Sequence, residues 1–184
     1  MPLILFNKPY QVMCQFSPHP TRASLADYID IPNIYPAGRL DADSEGLLLL
    51  TDDGRLQHRI SHPDSDKRKT YLVQVDGIPG KAVLERLRAP LDLGDFITLP
   101  CQAGRVEAPD WLWPRDPPIR QRQDQPTSWL AITLSEGKNR QIRRMTAAVG
   151  LPTLRLVRIA IGPFSLATHP LLPGEAMQVD AGGL

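Results

Sequence analysis

Residues 38–54 read GRLDADSEGLLLLTDDG, and the fold that the sequence predicts is built around this stretch. The four consecutive leucines at positions 47–50 predict a fully buried strand, because polar residues flank a short apolar run on both sides. Residues 37–46, directly before it, predict a polar loop whose flanking glycines let a substrate approach the backbone. Asp41 therefore stands just ahead of a rigid strand, and a carboxylate held in this way is a candidate for chemistry.

Outside this stretch the sequence mixes short strands and helices without a regular alternation of the two. Apolar patterning predicts further strands at 3–6, 70–75, 96–99, 129–134, 154–161 and 177–179. Helical spacing of apolar residues predicts helices at 24–29, 82–87 and 139–149. This mixture predicts an α+β fold rather than a doubly wound sheet.

The composition is that of a globular protein of 184 residues, with 42% hydrophobic and 22% charged side chains. Its two cysteines, Cys14 and Cys101, cannot form a disulfide scaffold, which indicates a reducing compartment. The aliphatic runs are far shorter than the roughly 18 residues that span a membrane, and the N-terminus lacks the pattern of a secretion signal. We therefore expect a soluble cytoplasmic protein with no membrane partner.

The segment between residues 107 and 127 is rich in proline and tryptophan. It holds five of the 19 prolines of the chain, together with Trp111 and Trp113. Because proline fixes φ and donates no backbone hydrogen bond, this segment predicts a long surface loop. We expect Trp111 or Trp113 to anchor the loop to the core.

Charge is distributed unevenly along the chain, although the formal net charge is only +1. Residues 25–54 carry a net charge of −6, and residues 136–158 carry a net charge of +5. Such an asymmetry is typical of proteins with an anionic partner, but two ordinary solvated faces produce it as well. From charge alone, two ordinary solvated faces are the favoured interpretation.

The motifs of several other enzyme classes are absent from the sequence. His58 and His62 have the i, i+4 spacing of metal ligands on a helix, yet no acid-rich helix or cysteine pair completes a site, so no metal is predicted. Neither a Gly-x-Ser-x-Gly elbow nor a phosphate-binding Gly-x4-Gly-Lys-Ser/Thr loop occurs. Serine hydrolases and nucleotide hydrolases are therefore excluded.

The helix predicted at 139–149 combines an apolar stripe with a basic face. On a helical projection Arg140, Arg143 and Arg144 share the broad side opposite the apolar residues. The guanidinium fork matches phosphate oxygens and carboxylates, so this face is a candidate anion-binding surface. A soluble surface helix without a ligand has the same pattern, and charge and spacing alone favour that interpretation.

Five stretches in this order resemble the RsuA/RluE-type ribosomal pseudouridine synthases, and together they cover most of the chain. They are NKP at 7–9, residues 38–54 quoted above, KTYLV at 69–73, EGKNRQIRRM at 136–145 and RIAIGPF at 158–164. The resemblance implies a mixed, mostly antiparallel sheet with flanking helices and loops and a central active-site cleft. It implies an RNA-modifying isomerase that converts a uridine to its C-glycoside.

The chain is most similar to the RluE-type subgroup of that family, whose substrate is the 23S ribosomal RNA of the large subunit. Many members of the family carry a small N-terminal RNA-binding domain of S4 type, but here the catalytic part begins almost at Met1. We therefore expect residues 1–184 to form one catalytic domain without an S4-like domain, with 107–127 as a surface loop within it.

The resemblance also assigns roles to individual residues. Asp41 corresponds to the catalytic aspartate, Tyr71 to the tyrosine that lies against the target base, and Arg143 to the arginine that pairs with the aspartate. Arg39, Leu40 and Leu156 are expected to complete the substrate pocket. Contacts to RNA phosphates are expected from seven basic residues, namely Lys67, Arg68, Lys69, Lys138, Arg140, Arg144 and Arg158.

The implied reaction breaks a C–N bond and forms a C–C bond in the same site, so no oxidant, metal or nucleotide cofactor is predicted. Two other interpretations remain open. The first is a catalytically idle protein of the same fold that binds ribosomal RNA or assists ribosome assembly. The second is a carboxylate glycosidase, in which Asp43 or Glu45 supplies the second carboxylate. The product distinguishes a glycosidase from an isomerase, because a glycosidase releases the base and an isomerase retains it.

Overall fold

The computed structural model describes residues 2–65, 67–120 and 122–184. The strands in this part of the chain are β1 (Leu3–Lys8), β2 (Tyr35–Pro36), β3 (Glu45–Thr51), β4 (Lys69–Asp76), β5 (Gln102–Val106), β6 (Thr127–Leu134), β7 (Thr153–Ile161), β8 (Phe164–Ser165) and β9 (Ala176–Val179). The α-helices are α1 (Gly54–Ser61), α2 (Lys81–Arg88) and α3 (Gln141–Ala148), and two short 3-10 helices cover Leu25–Asp27 and Pro63–Ser65. Short helices among mostly antiparallel strands confirm the predicted α+β class.

Most predicted elements are present, but the prediction of a strand at 96–99 is wrong. Its alternating apolar residues fit a strand, yet Ile97 and Leu99 are 63% and 55% exposed. Among the described residues the stretch pairs only through an isolated antiparallel bridge between Asp92 and Ile97. The Thr98 hydroxyl also accepts a hydrogen bond from the Leu91 amide at 2.9 Å. The missed strand β5 begins at Gln102, and the helix predicted at 24–29 is only a 3-10 turn of three residues.

The chain divides into two compact units, and the first consists of Met1–Lys67 with Arg158–Leu184. Its centre is β3, in which all seven residues are buried. Strand β3 pairs antiparallel with β1, and β1 also pairs antiparallel with β9. The core of this unit contains Phe6, Leu48 and Leu50. The predicted four-leucine strand therefore forms the buried centre of the first unit.

The second unit consists of Arg68–Val157. Strand β6 pairs antiparallel with β4 on one side and with β5 on the other. The predicted apolar stripe of α3 is buried, because Ile142, Met145 and the following Val149 join the hydrophobic core of this unit. Helix α3 is thus positioned by its apolar face, as the spacing predicts, and its basic residues are left toward the surface.

The described residues between β5 and β6 form neither a helix nor a strand. Trp113 is buried, and its carbonyl accepts a hydrogen bond from the Arg155 guanidinium at 2.9 Å. That guanidinium also lies 5.8 Å from the centroid of the Trp113 ring and 5.9 Å from that of Trp129. Trp111 is exposed, so Trp113 is the tryptophan that ties this segment to the second unit.

No helix within residues 2–65, 67–120 or 122–184 is long and apolar enough to cross a membrane.

Candidate active site

The loop that carries Asp41 lies in the first unit and is fixed at both ends. At its start the Ala37 amide donates to the carbonyl of Leu49 in β3 at 2.8 Å. At its end the Ser44 amide donates to the carbonyl of Asp41 at 3.0 Å, which forms a tight turn into the buried Glu45. The side chain of Asp41 is exposed. The carboxylate is therefore presented to solvent from a backbone with little freedom.

The two predicted pocket residues next to Asp41 differ in exposure. Arg39 is exposed, whereas Leu40 is buried and contributes to the interior of the first unit. The main-chain carbonyl of Arg39 accepts a hydrogen bond from the guanidinium of Arg158 at 3.4 Å. Arg39, Leu40 and Asp41 thus form one short segment that is anchored from β7.

The prediction that Arg158 contacts RNA phosphates is wrong. Arg158 is only 3% exposed, and its Nε donates to the carbonyl of Leu47 at 2.8 Å in addition to the bond to Arg39. A guanidinium that is buried on main-chain acceptors cannot reach a phosphate at the surface. Its role is structural, because it ties strand β3 and the loop before it to β7.

Gly46 serves a different purpose from the one that the sequence suggests. Its φ is +109°, and a Cβ atom at this position would overlap the main-chain carbonyl of Arg158. Glycine is required here because β7 passes too close for any side chain. The expectation that this glycine lets a substrate approach the backbone is wrong, since the neighbouring strand occupies that space.

Lys8 is a residue of this region whose importance is not evident from the sequence. It stands in the NKP stretch, and the structure buries it completely. Removal from water lowers the pKa of Lys8 from 10.5 to about 8. The available signal was its position two residues after the apolar run 3–6, and the observed strand β1 extends to Lys8.

Tyr71 and Leu156 lie in the second unit and share its hydrophobic core. Tyr71 is on β4, opposite Ile132 of β6, and is 9% exposed. Leu156 is on β7 and is 7% exposed. Both predicted pocket residues are therefore held firmly by packing, and only a small part of the tyrosine is accessible.

The basic residues around the start of α3 line a groove of about 670 Å³, which we call the basic groove. Its lining residues are Asp95, Phe96, Lys138, Asn139, Arg140, Arg143, Arg144 and Ala147. The Lys138 ammonium and the Arg144 guanidinium lie 5.4 and 5.3 Å from the centroid of the Phe96 ring. Four of the predicted RNA-binding or catalytic cations thus share one surface with an aromatic ring.

The arginines of the basic groove are not equivalent, contrary to the simple helical projection. Arg140 precedes α3 with a left-handed φ of 53° and is exposed, so it is not part of the helical face. Arg144 is on the helix, where its guanidinium forms an ion pair with Asp95 and donates to the Leu93 carbonyl at 2.9 Å. The bond to Arg144 lowers the pKa of the Asp95 carboxyl. Arg144 is therefore partly neutralised, whereas Lys138 and Arg140 are exposed.

The remaining predicted residues are divided between the units. Asp41 belongs to the first unit, and Tyr71 and Arg143 belong to the second. Of the basic run at 67–69, Lys67 and Lys69 are half-buried and Arg68 is exposed. The pairing of Asp41 with Arg143 stays a prediction, and so do the roles of the RNA-binding residues other than Arg158.

Comparison with known proteins identifies the family. The sequence profile of the family described as RNA pseudouridylate synthase matches residues 2–148. The chain is 52% identical over 181 residues to the ribosomal large subunit pseudouridine synthase E of Xanthomonas campestris pv. campestris, covering 97% of this chain and 96% of that protein. It is 50% identical over 178 residues to the protein of the same name from Vibrio parahaemolyticus, covering 97% of this chain and 74% of that one.

The fold agrees with this match. A crystal structure of a pseudouridylate synthase superposes with a TM-score of 0.80 at 27% sequence identity, covering 98% of this chain and 71% of that chain. The chain therefore belongs to the RNA pseudouridine synthase family. It is an isomerase, and the resemblance and enzyme class that the sequence predicted are confirmed.

Proposed function

We propose that this chain isomerises a specific uridine of 23S ribosomal RNA to pseudouridine, with Asp41 as the catalytic carboxylate. The observation that carries the proposal is the Asp41 loop, which presents an exposed carboxylate from a backbone fixed at both ends in a chain of this family. The ribosomal substrate and the large subunit are taken from the names of the two relatives that are 50% and 52% identical.

The chemistry requires a carboxylate beside the ribose. In the isomerisation the bond from C1′ to N1 breaks and a bond from C1′ to C5 forms. C5 then loses its proton to solvent, and N1 takes up a proton from solvent. An ionised Asp41 can act as the nucleophile at the sugar or as the base that removes a proton. Because the proton lost at C5 is matched by the proton gained at N1, the product is an isomer of the substrate and the reaction needs no redox partner.

Tyr71 and Arg143 are assigned supporting roles in this proposal. The uridine must leave its stack to be reached, and an aromatic ring held by packing provides a surface for the extruded base. Tyr71 is held in this way by the core of the second unit. Arg143, whose fork can hold both oxygens of a carboxylate, is proposed to orient Asp41. Leu156 and Leu40 supply apolar surface to the pocket.

The basic groove is proposed to hold the RNA backbone. Lys138 and Arg140 are exposed there, and the ring of Phe96 lies beside them. Such a combination of cations with an aromatic surface suits single-stranded RNA. The basic run at 67–69 is proposed to provide further contacts to phosphates. We also propose that residues 1–184 act as one catalytic domain in the cytoplasm.

The test is a tritium-release assay on unmodified 23S RNA labelled at C5 of uridine. Asp41→Asn should reduce the rate at least about 10,000-fold, because asparagine can neither attack the sugar nor take a proton. The variant should still fold by circular dichroism and bind the RNA, since Asp41 is exposed and its backbone bonds are kept.

Asp43→Asn is the matched control, because it removes the same charge from the same loop. It should leave the rate within about tenfold of the wild type. Substantial tritium release by Asp41→Asn would contradict the assignment. Release of free uracil would indicate a glycosidase, and RNA binding by the wild type without tritium release would indicate an idle RNA-binding protein.

A further inference from the structure

Residues 91–98 of the second unit form a closed, hairpin-like turn, which we call the 91–98 turn. The Thr98 amide donates to the Leu91 carbonyl at 2.8 Å, and the Leu93 amide donates to the Phe96 carbonyl at 2.9 Å. An isolated antiparallel bridge lies between these two hydrogen bonds. The backbone of this turn is therefore held by its own hydrogen bonds, although it belongs to no regular strand.

The 91–98 turn is also attached to the elements that form the basic groove. Within the turn, Asp95 forms an ion pair with Arg144 of α3. Directly after the turn, the Leu99 amide donates to the carboxylate of Glu136 at 3.1 Å. The same carboxylate oxygen accepts a hydrogen bond at 2.6 Å from the side chain of Gln141, which is the first residue of α3. The turn and the groove are thus connected at both ends of the turn.

Two large apolar side chains are exposed beside this groove. Ile97 is 63% exposed and Leu99 is 55% exposed, whereas Thr98 between them is buried. This alternation places Ile97 and Leu99 on one side of the chain, opposite Thr98. Phe96, the residue directly before them, lines the basic groove. We call the side chains of Ile97 and Leu99 the apolar pair.

The position of the apolar pair beside exposed cations fits an RNA strand with unstacked bases. Lys138 and Arg140 of the groove are exposed and can neutralise phosphates. Isoleucine and leucine side chains pack against the faces of bases where a nucleic acid is opened or kinked. The charge of the groove therefore suits the backbone of such a strand, and the apolar pair suits its bases.

We propose that the apolar pair packs against unstacked bases of the RNA strand whose phosphates lie in the basic groove. This inference rests on the proposed function, because the strand in the groove is that of the RNA substrate. The contact replaces part of the stacking that the RNA loses when a uridine is extruded. Ile97 and Leu99 are thus RNA-binding residues that contact bases and not phosphates.

The experiment measures binding of two RNA probes of equal length by fluorescence anisotropy. One probe is oligouridine, and in the other every base is replaced by hydrogen, so that only the bases differ. The wild type should bind oligouridine at least about tenfold more tightly than the abasic probe, because contacts to bases are lost in the latter.

The variant changes the polarity of the apolar pair and largely keeps its shape. Ile97→Thr combined with Leu99→Asn should bind oligouridine about tenfold more weakly than the wild type, because two apolar side chains lose their contact with bases. It should bind the abasic probe within about twofold of the wild type, since the phosphate contacts are kept. The slope of log affinity against log salt should not change, because the apolar pair carries no charge.

Ile78→Thr is the matched control, because Ile78 is a 54% exposed isoleucine of the same unit. It follows the end of β4 that pairs with the start of β6, whereas the groove residues at 138–147 come after the other end of β6. This variant should leave the affinity for both probes unchanged. Circular dichroism checks that each variant folds, and if the double variant does not fold, Ile97→Thr alone should weaken binding of oligouridine but not of the abasic probe.

The two probes also separate this inference from the alternatives. An equal loss of affinity for both probes would show that the apolar pair supports the groove and does not contact bases. Equal binding of both probes by the wild type, or unchanged binding of oligouridine by the variant, would equally overturn the inference. Either of these results leaves the role of Asp41 standing, whereas tritium release by Asp41→Asn contradicts the proposed function without altering the binding of either probe.

Discussion

In the first unit, Lys8 and Arg158 are buried, and their side chains donate hydrogen bonds to main-chain carbonyls. In the second unit, Lys138 and Arg140 are exposed and line the basic groove. The same residue types thus donate to main-chain carbonyls in one region and are exposed in the other. A basic residue in the sequence does not by itself show whether its side chain is buried against the backbone or exposed.

The difference changes how the charge pattern should be interpreted. The segment 136–158 has a net charge of +5 in the sequence, which suggested an extended anion-binding surface. Two of its six bases, Arg155 and Arg158, are buried, and a third, Arg144, is paired with Asp95. The exposed basic surface of this segment is therefore smaller than the count implies, and it is concentrated at the start of α3.

The largest effect is expected where a buried cation is removed. Arg158→Met should reduce the free energy of unfolding by about 3 kcal/mol, because the carbonyls of Leu47 and Arg39 lose a donor in the interior. Arg55→Met, an exposed arginine of the same unit, should change it by less than about 0.5 kcal/mol. Urea unfolding of both variants measures the difference, and equal effects would show that burial does not separate the two classes.

The next effect concerns Arg143, the cation proposed to orient Asp41. Arg143→Lys keeps the charge but loses the planar fork, so the rate of pseudouridine formation should fall about a hundredfold, equivalent to roughly 2.7 kcal/mol. The assay should use saturating RNA, so that weaker binding does not contribute. An unchanged rate would mean that Arg143 acts only as a positive charge or not at all.

A smaller effect is expected from the exposed cations of the basic groove. Replacing Lys138 and Arg140 together with alanine should weaken RNA binding and reduce the slope of log affinity against log salt by about 1.4, as expected for two lost contacts to single-stranded phosphates. Arg144→Ala should change the slope less, because Asp95 already neutralises that guanidinium. Equal changes in slope would show that the ion pair opens when RNA binds.

The smallest expected effect is on the pKa of Asp95. The bond to Arg144 holds its pKa below the ordinary value of 3.8, so the stabilisation by this pair is present at neutral pH and is lost as the pH falls through the lowered pKa. A carboxyl carbon titration by NMR should show a midpoint below 3.8 that returns to the ordinary value in Arg144→Ala. A midpoint that does not respond to this change would show that the pair does not stabilise the carboxylate.

Much of the fold was predictable because apolar patterns are local. The four leucines at 47–50 and the spacing of Ile142 and Met145 predicted β3 and α3 correctly. The prediction of a strand at 96–99 was wrong because this stretch pairs only through an isolated bridge between Asp92 and Ile97. Apolar alternation does not show whether a longer partner strand is present.

The site was less predictable, because its support depends on contacts between distant parts of the chain. The loop of Asp41 was located from its neighbouring strand, but the buried positions of Lys8 and Arg158 were not. Lys8 is bonded to the carbonyl of Ala42 and Arg158 to that of Leu47, and both partners are remote in sequence. A single sequence shows that these residues are basic but not whether their charges face water.

The most direct test of the proposed function maps pseudouridines in ribosomal RNA from cells that lack the gene for this chain. Complementation with the wild type or with Asp43→Asn should restore a pseudouridine in 23S RNA that the deletion removes, whereas Asp41→Asn, expressed at the same level, should not. Restoration by Asp41→Asn, or a set of 23S pseudouridines that does not change on deletion, would contradict the proposal.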